Sequence, residues 1–123
     1  MALTQGLLEV IVYVEDMAAM VAFYRDVLEL TVTFPEAVAD YAGEPWVTFD
    51  TGGCTFALHG GGQRHHGQDT AETVFLVDDV YAVRAALAAR AVPMSEVVTA
   101  APGILVCGGR DPEGNRFSVE SRQ

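Results

Sequence analysis

The sequence contains no lysine, so arginine supplies all seven of its basic side chains. Chemistry that depends on a lysine nucleophile, such as Schiff-base formation, is therefore excluded. Asp and Glu together number 17, and the formal net charge is −10. Such a chain does not offer the basic face that nucleic acids and anionic membranes require, and we expect neither as a partner. A neutral or cationic small molecule is easier to accommodate.

Cysteine is scarce, and long apolar runs are missing. Cys54 and Cys107 show no CxxC spacing, which favours small buried side chains in strands over a disulfide or a zinc site. The first residues carry no basic segment, and Glu9 interrupts their apolar run. We therefore expect neither a signal peptide nor a membrane span, and a cytoplasmic protein.

One pattern occurs twice, 63 residues apart, at residues 9–16 (EVIVYVED) and 72–79 (ETVFLVDD). Each copy is predicted to be a strand that ends in acids, followed by apolar residues at the three- and four-residue intervals of a helix. Asp16 and Asp79 are expected to cap these helices. The predicted apolar stripes are Met17, Met20, Val21, Tyr24, Val27 and Leu28 in the first helix, and Val80, Val83, Leu87 and Ala91 in the second.

Three further strands are predicted after each helix, at residues 30–34, 46–50 and 54–59 and at residues 94–100, 104–109 and 115–121. The last two strands of each set are joined by turn sequences, residues 50–53 and 111–114, in which glycine is available for a positive φ. We predict one α+β domain over residues 1–123. It consists of two βαβββ modules, residues 1–59 and 71–123, joined by a flexible linker at residues 60–70. His65 and His66 are interpreted as solvated linker residues.

The doubled βαβββ order, with residues 14–17 (VEDM), 23–28 (FYRDVL) and 111–115 (DPEGN), resembles the vicinal oxygen chelate superfamily. This group includes glyoxalase I, bleomycin-resistance proteins, fosfomycin-resistance enzymes and extradiol dioxygenases. The resemblance covers the whole chain and implies a curved eight-stranded mixed sheet with helices on its convex face and a cavity on its concave face. It also implies a homodimer.

In the enzymes of this superfamily a divalent metal is bound near the start of the first strand and on the last strand of each module. The matched positions here are Glu9 and Glu72, then Ala57 and Ser118, so the resemblance implies an incomplete ligand set and no metal cofactor. A displaced site for one divalent metal remains an alternative, with Glu9, His59, Glu72 and Glu120 as ligands. It requires side chains to reach back along their strands by ~6.6 Å, whereas metal–oxygen bonds are about 2.0–2.2 Å long.

The two matched glutamates have two interpretations, as relics without a task or as carboxylates that act on a ligand. Strand alternation places Ile11 and Tyr13 beside Glu9, and Val74 beside Glu72. Trp46 is either a stacking surface for an aromatic ligand or a core residue under the helices. The candidate ligand-binding residues are Glu9, Ile11, Tyr13, Trp46, Ala57, His59, Glu72, Val74, Ser118 and Glu120.

The first functional hypothesis is a metal-independent binding protein of the bleomycin-resistance type, which sequesters a bulky aromatic or cationic natural product and so confers antibiotic resistance. The alternative is a metal-dependent glyoxalase-like lyase or isomerase, or a dioxygenase. A third possibility is metal-free proton transfer with the glutamates as general bases. Under the first hypothesis no residue is assigned a catalytic role.

Overall fold

A computed structural model describes residues 7–61 and 71–123 of the chain. The chain divides into two compact units, Met1–Arg64 and His65–Gln123, with the boundary inside the predicted linker. His65 and His66 lie outside the described residues. The first unit contains β1 (Glu9–Val14), α1 (Met17–Ala22), a π-helical segment (Phe23–Val27), β2 (Thr31–Phe34), β3 (Trp46–Asp50) and β4 (Thr55–Gly60). The second contains β5 (Thr73–Leu76), α2 (Val80–Ala89), β6 (Val98–Ala101), β7 (Ile104–Arg110) and β8 (Arg116–Arg122).

Each unit forms a mixed four-stranded sheet of the same topology. The strand orders are β1-β4-β3-β2 and β5-β8-β7-β6. In each sheet the strand before the helix pairs in parallel with the last strand, and the other pairs are antiparallel. The predicted α+β class and the βαβββ order of both modules are confirmed.

Aspartate caps begin both helices, as predicted. Asp16 Oδ1 accepts a hydrogen bond from the Ala19 amide at 3.0 Å. Asp79 Oδ1 accepts from the Tyr81 and Ala82 amides at 3.0 and 3.2 Å. Each carboxylate satisfies amides that have no partner within the helix and lies favourably in the helix dipole.

The α-helical parts are shorter than the apolar patterns predict. After Ala22 the first helix widens into the π-helical segment. The second helix ends at Ala89, and Ala91 has a positive φ of 64° and is exposed. Its predicted place in the apolar stripe is therefore wrong, because a residue in the left-handed region cannot continue a helix. Val92 is buried in its place.

One face of each sheet packs against the helix of its unit. In the first unit the Tyr24 ring lies 4.7 Å from that of Phe56 and 6.2 Å from that of Phe49, measured between centroids. Alternation along a strand then directs the intervening residues to the opposite face. We call this opposite face the helix-free face. The core residues of the second unit, all buried, are Val80, Leu87, Val92, Cys107, Phe117 and Val119.

The two predicted turns are built around aspartates. Asp50 Oδ1 accepts from the Gly52 amide at 2.8 Å, and Asp111 Oδ1 accepts from the Glu113 and Asn115 amides at 3.0 and 2.9 Å. A glycine with positive φ completes each turn, at 90° for Gly52 and 84° for Gly114. The turns fix where β4 and β8 begin.

Four of the six predicted strand starts differ from the structure, because β2, β4 and β8 each begin one residue later than predicted and β6 begins four residues later. Cys54 precedes β4 instead of lying in it, whereas Cys107 is buried in β7, and both are free thiols. β6 begins at Val98, four residues later than expected. The preceding segment is held beside β7, because the Ser95 amide donates to Gly108 O at 2.8 Å and Arg84 Nε donates to Ser95 O at 2.8 Å.

Within the two described ranges, no helix combines the length and the apolar character needed to cross a lipid bilayer.

Candidate functional site

The helix-free face of the first sheet brings together the six candidate residues that belong to this unit. In the parallel pair β1 and β4, Glu9 lies opposite Thr55, Ile11 opposite Ala57 and Tyr13 opposite His59. On the other side of β4, Trp46 of β3 is also paired with His59. The candidates on this face are Glu9, Ile11, Tyr13, Trp46, Ala57 and His59.

Three aromatic side chains form a row across this face, which we call the aromatic row: Tyr13, His59 and Trp46. The His59 ring centroid lies 5.0 Å from that of Tyr13 and 5.7 Å from that of Trp46, the latter in an edge-on arrangement at 87°. The Tyr13 and His59 rings are tilted by 40°, and the edge-on contact of His59 with Trp46 is a favoured geometry of aromatic pairs. Tyr13 remains 49% exposed. Of the two interpretations of Trp46, the structure supports the helix-free face over the core under the helix.

The His59 ring is oriented by its own backbone. Nδ1 lies 2.7 Å from the Gly60 carbonyl oxygen. Because a carbonyl only accepts, Nδ1 carries the proton, and in the neutral ring Nε2 is an acceptor. The aromatic row thus combines flat apolar surface with one oriented polar atom.

Glu9 lies at the far end of the same face. It is four residues from Tyr13 along β1, about 13 Å at the rise of a strand. In the part of the chain that the structure describes, the Glu9 carboxylate makes no hydrogen bond or ion pair. It is therefore available to a positively charged or hydrogen-bond-donating ligand group.

In the second unit, Glu72 is held by two donors from β8. Arg116 Nη2 lies 2.9 Å from Glu72 Oε1, and Ser118 Oγ donates to Glu72 Oε2 at 3.0 Å. Ser118 is 3% exposed, whereas the Arg116 side chain is 44% exposed. Glu72 is thus a fixed carboxylate with a guanidinium beside it, and a task for it on a ligand stays a prediction.

Glu120 is also paired with an arginine. Its Oε2 lies 2.7 Å from Arg122 Nε, and its side chain is 17% exposed. Arg122 is two residues further along β8, on the same face of the strand. Val74 and Leu76 of β5 share this helix-free face and are largely exposed, at 54% and 76%.

A pocket of about 420 Å³ opens on the helix-free face of the second sheet. Gly108 of β7 lies opposite Ser118 and contributes no side chain, which leaves space next to the Glu72 network. The volume falls within the range of small-molecule sites, about 300–1,000 Å³. The lining residues are Glu72, Ser95, Glu96, Val98, Val106, Cys107, Gly108, Arg116 and Ser118.

The side chains of the displaced metal set do not fit a metal ion. Glu72 and Glu120 already bind arginines. Within each unit the two proposed ligands, Glu9 with His59 and Glu72 with Glu120, are four residues apart in register, about 13 Å along the strands. Metal–ligand bonds are about 2.0–2.2 Å long. Among the described residues, no three His, Cys, Asp or Glu side chains are grouped as metal ligands would be.

Sequence reasoning missed Arg116 and Arg122. A signal for Arg116 was present, because it is two residues before Ser118 and therefore on the same face of the strand. Parallel pairing of β5 with β8 then brings it beside Glu72, since Thr73 lies opposite Phe117. The two glutamates differ in their partners. Glu9 lies opposite Thr55 of β4, which offers no positive charge, whereas Glu72 lies beside Arg116 of β8. The spacing of Glu9 did not indicate this difference.

Comparison with known proteins gives one family. The model of the glyoxalase/bleomycin resistance protein/dioxygenase superfamily matches residues 6–119. A search of curated proteins gave no match.

Several solved structures share the fold. TnmS3, an antibiotic-binding protein from Streptomyces sp. CB03234, is 18% identical with a TM-score of 0.78, and the alignment covers 100% of both chains. A lactoylglutathione lyase from Agrobacterium tumefaciens is 22% identical with a TM-score of 0.75, covering 98% of this chain and 96% of the lyase. A protein of unknown function from Agrobacterium tumefaciens str. C58 is 25% identical with a TM-score of 0.74, covering 98% of each chain.

Proposed function

The chain belongs to the glyoxalase/bleomycin resistance protein/dioxygenase superfamily, and from this premise we propose that it binds a bulky, partly aromatic natural product without a metal. The proposal places the ligand on the helix-free faces of the sheets and assigns the protein a sequestering role of the bleomycin-resistance type. The observation that carries it is the aromatic row of Tyr13, His59 and Trp46.

The aromatic row supports binding by stacking. A planar ligand that lies on Tyr13 and Trp46 removes apolar surface of both partners from water. Ile11, which is 41% exposed, extends this surface with aliphatic contacts, whereas Ala57, opposite it on β4, is fully buried and lies beneath the surface. His59 Nε2 accepts a hydrogen bond from a ligand hydroxyl or amine.

Charge supports a cationic substituent on the ligand near the first sheet. Glu9 has no bonded cation among residues 7–61 and 71–123, and the whole chain carries a formal charge of −10. An ammonium group of the ligand within reach of Glu9 is attracted by that carboxylate and, more weakly, by the net charge. On the helix-free face of the second unit, taken by itself, Glu72, Ser118 and Glu120 are fixed polar groups and Val74 offers apolar surface.

The ligand set supports the metal independence that we propose. Of the four positions that match metal ligands of the superfamily's enzymes, two hold the non-ligands Ala57 and Ser118, and the matched Glu72 and the displaced Glu120 are bound to arginines. The antibiotic-binding protein TnmS3, which has the same fold, supports a binding role. A cytoplasmic homodimer remains part of the proposal and rests on the family resemblance and the composition.

The second candidate function is a metal-dependent lyase, which the likeness to a lactoylglutathione lyase favours. A thermal-shift screen separates the two. A ligand that binds only the native state raises the melting temperature by mass action. Under the proposal, polycyclic aromatic antibiotics raise the melting temperature, and nickel, zinc, manganese and iron do not. A metal-dependent lyase would give the reverse result.

A further inference from the structure

The pocket of the second unit has a charge pattern of its own. Its two carboxylates already have donors: Glu72 binds Arg116 and Ser118, and Glu96 lies 3.4 Å from Arg84. The Arg116 guanidinium, which is the ion-pair partner of Glu72, also lines the pocket, and its side chain is 44% exposed. A ligand that enters this pocket therefore meets an accessible donor.

A second arginine, Arg110, lies next to Arg116. Arg110 of β7 lies directly opposite Arg116 of β8, so both side chains lie on the helix-free face. Arg110 Nη1 donates to the Gly114 carbonyl oxygen at 2.9 Å, which fixes it beside the turn. Arg110 lies outside the pocket lining, and together with Arg116 and Glu72 it leaves one net positive charge at this register position, which favours an anion over a cation.

We propose that Arg116 is the recognition residue of an anion-binding pocket in the second unit, which takes a small amphipathic carboxylate. The planar fork of a guanidinium matches the two oxygens of a carboxylate and binds them in parallel. Val98 and Val106 contact the apolar body of the ligand. Glu72, itself held by Ser118, positions the guanidinium.

Equivalent positions in the first unit show that this chemistry is confined to the second. Glu9 in the first unit corresponds to Glu72 in the second, but the residue opposite Glu9 is Thr55 and not an arginine. The position that corresponds to Ser118 is Ala57, which has no hydroxyl group. The inference rests on the proposed function in one respect only, that the helix-free faces bind small molecules.

Matched probes test the role of Arg116. The probes are 2-naphthoate and the neutral 2-naphthylmethanol, titrated by calorimetry at pH 7 in low salt, with EDTA present so that no chelated metal contributes. We expect the wild type to prefer the carboxylate. Arg116→Gln is expected to raise the Kd for 2-naphthoate about tenfold, the effect of losing a charge-assisted hydrogen bond, and to leave the alcohol within about twofold.

Two further variants complete the experiment. Arg116→Lys keeps the charge beside Glu72, and is expected to weaken 2-naphthoate binding several-fold because an ammonium has no planar fork. Arg90→Gln, after the end of α2, removes the same charge and is expected to change neither Kd. Circular dichroism and the melting temperature verify the fold of each variant.

The outcomes separate this inference from the proposed function. Equal affinity of the wild type and both Arg116 variants for 2-naphthoate overturns the inference, while continued binding of the alcohol leaves the proposed function intact. Preference for 2-naphthoate that depends on Arg116, with no binding of the alcohol, supports the inference and counts against the proposed function, because stacking alone then does not hold an aromatic ligand. Failure of both probes to bind the wild type overturns both.

Discussion

Tyr13 and His59 lie opposite one another on β1 and β4, with ring centroids 5.0 Å apart. The corresponding positions on β5 and β8 are occupied by Leu76 and Glu120. The two units therefore share topology and register but differ in side-chain chemistry. The first presents aromatic rings on its helix-free face, and the second presents carboxylates paired with arginines. A duplicated scaffold has thus acquired two different surfaces.

The aromatic row predicts a large effect of Trp46→Ala on ligand binding. We expect the Kd for an aromatic ligand to rise about tenfold, since a lost aromatic contact costs about 0.5–1.5 kcal/mol beyond the buried area. Tyr81→Ala is the matched control, because Tyr81 is an exposed aromatic residue on α2. Calorimetric titration of both variants is the measurement. Equal effects of the two substitutions would contradict the assignment of the row.

The cap of α2 predicts a stability difference between two neighbouring aspartates. Asp79→Ala removes the acceptor of two backbone amides and is expected to lower the free energy of unfolding by about 1 kcal/mol. Asp78→Ala removes the same charge from the exposed preceding position and is expected to have a smaller effect. Urea denaturation at pH 7 measures both. Equal losses would mean that charge, and not capping, accounts for the effect.

The close packing around Gly109 of β7 leaves no room for a side chain at this position. A Cβ at this position would lie 2.6 Å from Met94 Sδ and 3.1 Å from the Pro93 carbonyl oxygen. Gly109→Ala is therefore expected to destabilise the protein by about 1–3 kcal/mol, as overpacked sites do. Gly53→Ala, where nothing lies within 4 Å, is the control. A midpoint of urea unfolding unchanged by Gly109→Ala would show that the segment before β6 is free to move.

Cys107 predicts a loss of stability in alkaline solution. Burial raises the pKa of its thiol, and Arg84 opposes this more weakly. The contribution to stability is fully present below the pKa of an unfolded thiol, about 8.5, and is lost as pH rises through the folded pKa. Cys107→Ala is expected to flatten this decline, whereas Cys54→Ala is expected to keep it. The measurement is the urea midpoint from pH 7 to pH 10, and identical slopes for both variants would refute it.

Much of the fold follows from local patterns in the sequence. Asp16 and Asp79 mark the helix starts because a cap is a local interaction. The turns at Asp50 and Asp111 are recognisable for the same reason. The late start of β6 was not predictable, because the segment before Val98 is held beside β7 by Arg84 of α2 and by hydrogen bonds between Ser95 and Gly108, which are tertiary contacts.

Strand alternation alone was enough to predict which side chains of β1 share one face of the sheet. Glu9, Ile11 and Tyr13 share a face because they are two residues apart, and β4 pairs with them in register. The direction of Trp46 depended on the register of β3 against β4, which a one-residue shift would reverse. The partners of Glu72 required knowledge of which strands are neighbours, a tertiary property.

Metal-independent binding is the central claim, and ligand titration before and after EDTA treatment tests it most directly. The aromatic antibiotic with the largest thermal shift is titrated against untreated protein, EDTA-treated protein and treated protein resupplied with nickel, zinc, manganese or iron. The account predicts the same Kd in all three and less than stoichiometric metal by elemental analysis. Loss of binding on EDTA treatment and recovery with one equivalent of metal, abolished by Glu9→Gln or Glu72→Gln, would contradict it.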